Sequence, residues 1–105
     1  MNIDRSINRI VGVIDKNVNT LYDYQEPSLS IVTKTYIKKY IELTGDTSQL
    51  IILCTTSYLV AMKYLLDSAP RMRDYSELVK IPIKKLVNKE MLIGKSFMFN
   101  FTPKK

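Results

Sequence analysis

The residue types that most often do chemistry are scarce in this chain. It contains no histidine, so the side chain most used as general base and metal ligand is missing. Its one cysteine, Cys54, makes neither an internal disulfide nor the usual zinc site. That thiol lies in the run Leu50-Ile51-Ile52-Leu53-Cys54 and reads as a small buried hydrophobe. None of the three glycines falls in a phosphate-cradling pattern. Carboxylates are scattered rather than paired. Lys63 would serve as a nucleophile only if burial lowered its pKa. The expectation is a non-enzyme with no catalytic residue, no cofactor and no metal.

The elements that hold these residues must form one domain. At 105 residues the chain is too short for two, and 46% hydrophobic content supports a packed core without staples. Met1 is followed by polar and charged residues rather than by the start of a signal peptide. No apolar run approaches the roughly 18–20 residues that cross a bilayer. These features predict a soluble intracellular protein, nuclear or cytoplasmic, without a membrane partner. The net charge of +6 is unevenly spread. Residues 1–62 hold six basic and six acidic side chains, whereas residues 63–105 hold ten and four. A basic half admits nucleic acid or a partner with an acidic face.

Helical periodicity dominates the pattern. Ile3, Ile7, Ile10, Ile14, Val18 and Leu21 recur at three- and four-residue steps and predict a first helix, with Asp4 or Ser6 as its cap. A self-associating stripe is the alternative use of this face. Leu29, Val32, Tyr36, Tyr40 and Leu43 predict a second helix with Lys38 and Lys39 outside, begun near Pro27 and stopped by Gly45. Asp46 with Gln49 reads as a variant capping box for a third helix from about Thr47 to Leu66. That helix is apolar almost all round until Lys63, which predicts a place at the centre of the fold. Thr55, Thr56 and Ser57 can bond back to helix carbonyls. A short fourth helix capped by Asp74 runs to about Val79. A fifth starts at Pro82 and stops at Gly94, and Phe97, Phe99 and Phe101 alternate in an extended tail.

These residues also carry a resemblance. Ser57-Tyr58-Leu59-Val60-Ala61-Met62-Lys63-Tyr64 is similar to the small-residue helix of a cyclin box, which closes in Ala-Ser-Lys-Phe. Pro70 falls at the family's proline pair, and Tyr75 at the aromatic that follows. Lys84 through Ile93 resembles the fifth helix with its characteristic Glu, here Glu90. Phe99-Asn100-Phe101 resembles the aromatic-Asx-Leu exit. Tyr36-Ile37-Lys38-Lys39-Tyr40 is similar to the second helix's Tyr-Ile-Asp-Arg-Phe, and Arg9 falls at the Arg that opens the first helix. The match covers about residues 8–101. It implies an all-α, five-helix cyclin-box bundle over residues 1–101 with a basic tail at 102–105.

The resemblance implies a regulatory subunit that binds and activates a cyclin-dependent protein kinase beside its movable C helix, and that is monomeric before it does so. Lys63 and Glu90 match the residues that bond to the kinase backbone. Val60 and Tyr64 match apolar contacts for the kinase helix, and Phe99 and Phe101 match the apolar exit of the same groove. Charged anchors would fix register while apolar area supplies affinity. The tail Thr102-Pro103-Lys104 fits the pattern that proline-directed kinases prefer, making Thr102 a candidate phosphorylation site.

Departures from the family pattern are specific. Lys38 replaces the second-helix Asp that pairs with the first-helix Arg, so Arg9 must find another partner or face solvent. Leu65 and Leu66 replace two acidic residues, which bears on partner choice. The first helix lacks the Trp of the usual substrate-docking patch, with Asp15 near its position, so recruitment through Arg-x-Leu motifs is not expected. The chain has room for one helical repeat, as in a minimal or viral cyclin acting inside a host cell. Two alternatives stand beside activation. One is a kinase binder that does not activate. The other is a cyclin-fold transcription-factor-type adaptor that binds nucleic acid through the basic half, although no interleaving of aromatic and basic residues marks a base-reading surface.

Overall fold

Five helices follow one another in the computed structural model, which describes residues 3–24 and 26–98. No strand occurs among the described residues. Helix α1 spans Ile3–Tyr22 and buries Ile7, Val11, Ile14 and Val18, a single stripe at steps of four and three. Val11 is therefore a core position that the sequence stripe omitted. Leu21 is exposed, and the chain turns just beyond it through a left-handed residue, Asp23, φ 53°.

Helix α2 (Ser28–Thr44) starts after Pro27, whose φ of −66° already suits a helix. It ends at Gly45, which adopts φ 67° and donates its N–H to the Ile41 carbonyl. Leu29, Val32, Tyr36, Ile37 and Tyr40 face inward. The buried Thr33 hydroxyl donates to the Leu29 carbonyl at 2.6 Å, so its burial leaves no unpaired donor. Leu43, expected on the inner stripe, is exposed.

Helix α3 runs Leu50–Leu65, starting later than the Asp46–Gln49 pattern predicts. The Asp46 carboxylate instead accepts the Ser48 backbone N–H at 3.0 Å and the Ser48 hydroxyl at 2.6 Å. It closes a local turn and is not available to cap the helix. Every residue from Leu53 to Met62 is buried. Thr55 donates back to the Ile51 carbonyl at 2.7 Å. The buried Thr56 and Ser57 hydroxyls have no hydrogen-bond partner among the described residues, so of the three that could bond back Thr55 does so.

Helix α4 (Met72–Val79) follows Arg71 at its cap position, with Asp74 inside the first turn rather than before it. A carboxylate there still complements the helix dipole. Helix α5 (Ile83–Ser96) takes Pro82 as its N-cap and continues through Gly94, which is buried, to end at Phe97. Phe97 thus packs as a buried helix-end residue rather than as part of an extended tail. Helices α1, α2 and α5 all pack on α3, and α4 rests on α5 and α1. The radius of gyration, 12.6 Å, is close to the roughly 13 Å of a compact chain this long. No helix among the described residues is long and apolar enough to cross a membrane.

Candidate recognition site at the end of α3

The C-terminal turn of α3 crosses α5 and brings two charges together. The Lys63 ammonium donates to Glu90 Oε1 at 2.6 Å, across a sequence separation of 27 residues. The pair is partly wet, with side-chain exposures of 46% for Lys63 and 27% for Glu90. Lys63 sits in the last turn of its helix, where a cation also complements the dipole. The bond is charge-assisted and short, and it links the end of α3 to α5 at the surface.

The sequence of α5 sets what surrounds the pair. Leu86 and Ile93 point into the core, whereas Ile83, Val87 and Met91 are exposed. Four-residue spacing puts the last three on one continuous row, with Glu90 between that row and the buried stripe. Tyr64, beside Lys63 on α3, is 47% exposed and adds an aromatic surface. Val60, which the resemblance matches to an apolar kinase contact, is 4% exposed.

The same end of the fold holds an aromatic cluster. The Tyr36 ring packs on Phe97 with centroids 5.7 Å apart and planes tilted by 58°, and the Lys39 ammonium lies 4.7 Å from the Phe97 ring centre. Lys39 is accordingly half-buried and not outside the fold, as the sequence pattern had it. Burial pushes the Tyr36 phenol up to about 12, with the nearby Tyr64 phenol adding to the shift. Phe99, Phe101 and Thr102 lie outside the described residues.

Two further contacts were not anticipated. Lys89 is 4% exposed, with its ammonium 5.6 Å from the Tyr40 ring centre. Hydrogen bonds from Ser48 hold the Asp46 carboxyl below its ordinary range, with a smaller contribution from the Lys89 charge. The signal for Lys89 was present in the pattern, since it lies three residues after Leu86 and four before Ile93 on the inner stripe. The second contact joins α1 to α3, where the Tyr58 hydroxyl donates to Asp15 Oδ1 at 2.6 Å. Arg9 and Lys38 are both exposed.

Chemically, this arrangement offers an ion pair, hydrogen-bond donors and acceptors, and an apolar row. No cluster of three or more potential metal ligands occurs among the described residues. In comparisons with known proteins, no family model, curated protein or solved structure matches this chain.

Proposed function

We propose that the chain is a cyclin-like regulatory subunit that binds a cyclin-dependent kinase at its C helix and activates it. One observation carries this reading. Lys63 and Glu90, the two residues that the resemblance assigns to kinase contact, meet at 2.6 Å beside the exposed row Ile83, Val87 and Met91 and the exposed Tyr64. A charged pair at the edge of an apolar surface supplies register and affinity together. In this reading α3 is the central helix of a single cyclin box. Val60, Phe99 and Phe101 keep the apolar contact roles that the resemblance implies for them.

Activation follows from selective binding. A kinase needs the Glu of its C helix turned inward to pair with the active-site Lys. A partner that binds only that arrangement shifts the population toward it. The protein acts by contact, inside the cell, and takes no part in the phosphoryl transfer itself.

The test is to titrate purified cyclin-dependent kinases with the chain and follow phosphate transfer to a proline-directed peptide. An increase in rate of at least about tenfold, equivalent to about 1.4 kcal/mol, supports activation. Binding without a rate increase would replace this reading with that of a non-activating binder. No binding to any kinase tested would remove it.

A further inference from the structure

The Lys63–Glu90 site leaves most of the lysines of α5 unused. Lys84 and Lys95 stand eleven positions apart, close to three full turns, so they lie on one row along the helix with Asn88 between them. Both are exposed, as is Lys85. The one carboxylate of α5, Glu90, is engaged by Lys63. Helix α2 packs on α5 and adds Lys38, exposed, and Lys39, half-buried over the Phe97 ring. Lys89 adds a positive charge from beneath, 4% exposed, with its ammonium 5.6 Å from the Tyr40 ring centre.

None of these lysines forms an ion pair with a described residue. Glu42, one turn beyond Lys38, forms none either, and Asp46 is engaged by Ser48. Like charges crowded on two packed helices repel one another, and a polyanion laid across them relieves that repulsion. The rings that share this face, Tyr36, Tyr40 and Phe97, are buried. They offer no surface on which a base can stack and no pocket for a peptide's anchor side chain. The apolar row Ile83, Val87 and Met91 lies on the Glu90 side of these lysines. What remains for a ligand is a row of positive charge about 16 Å long, which spans about five base-pair steps of a duplex.

We infer that this face binds the phosphate backbone of nucleic acid without reading its sequence. Lys38, Lys84, Lys85 and Lys95 contact phosphates as point charges on flexible stems, and release of the condensed counterions drives the binding. Lys39 and Lys89, held against their rings, strengthen the field of the face without touching the ligand. Lys63 and Glu90 take no part, so the inference stands without the kinase reading.

The test titrates the full chain into a fluorescein-labelled DNA duplex of about 20 base pairs, followed by polarisation at about 50 and about 200 mM salt. Four phosphate contacts predict a slope of log affinity against log salt of about −3.6, a loss of about a hundredfold over that range. A second duplex of unrelated sequence should bind within about threefold of the first. Lys84→Glu with Lys95→Glu should weaken binding at least about tenfold and reduce the slope to about half. Lys84→Gln with Lys95→Gln repeats that test if the first pair loses its helical circular dichroism. Arg9→Glu with Lys16→Glu, which lowers the net charge equally from exposed positions on α1, should cost less than about threefold. No binding at the lower salt, an equal loss in the α1 and α5 double variants, or a strong preference between the duplexes would overturn the proposal. So would binding to phosphatidylserine vesicles in place of the duplex.

Discussion

The Tyr75 hydroxyl donates to the carbonyl of Thr55 at 2.6 Å in the interior, tying α4 to the middle of α3. Tyr75 is the fully buried residue of α4, with Met72, Leu78 and Val79 partly buried against the core around it. Removing only the hydroxyl, in Tyr75→Phe, should cost about 0.5–1.5 kcal/mol. Removing the ring, in Tyr75→Ala, should cost about 3–5 kcal/mol. Urea unfolding of both variants checks this, and equal costs would mean that the ring does not pack as described.

The ionisation of buried groups sets a limit at high pH. Burial pushes the Cys54 thiol from 9.0 up to about 12 and the Tyr36 phenol from 10.0 up to about 12. The unfolded chain releases these protons first, so above pH 9 the folded state binds more protons than the unfolded one. Stability then falls as pH rises. The contribution is intact below pH 9 and is lost progressively toward pH 12. The urea midpoint should drop between about pH 8 and about pH 10.5, and drop less in Cys54→Ala. An equal drop in both proteins would show that the thiol is not shielded.

Two turn residues make a reciprocal pair. Gly45 adopts φ 67° with open space where a Cβ would sit, so Gly45→Ala should cost about 1 kcal/mol from backbone strain alone. Lys80 adopts φ 59°, so Lys80→Gly should raise stability by about 0.5–1 kcal/mol, the relief of strain being offset in part by the flexibility of unfolded glycine. Thermal unfolding of the two variants should move in opposite directions.

Much of the fold was legible in the sequence because its boundaries rest on local chemistry. Pro27, Gly45 and Pro82 sit at helix ends, as their fixed or left-handed backbone requires. The stripe Ile7, Ile14 and Val18 could be read from spacing alone. What escaped was tertiary. Asp46 looks like a cap in sequence, but it bonds Ser48. Gly94 looks like a stop, but it is buried within α5. The Lys63 and Glu90 positions came from the resemblance. That they bond to each other depends on how α3 crosses α5, which no local pattern encodes. The Tyr58–Asp15 bond, 43 residues apart, was hidden for the same reason.

The Lys63–Glu90 pair should matter little to the fold itself. Both side chains are partly exposed, and such pairs contribute about 0–1 kcal/mol. The double variant Lys63→Ala, Glu90→Ala should keep its helical circular dichroism, and its urea midpoint should correspond to a loss within about 1 kcal/mol. A larger loss would give the pair a structural role in place of recognition.

The most direct measurement is calorimetric titration of purified cyclin-dependent kinases with the wild-type chain and with this double variant. The account predicts a saturable complex with at least one kinase, weakened at least about tenfold in the folded double variant, or about 1.4 kcal/mol. Equal affinity of the two proteins, or no complex with either, would contradict it.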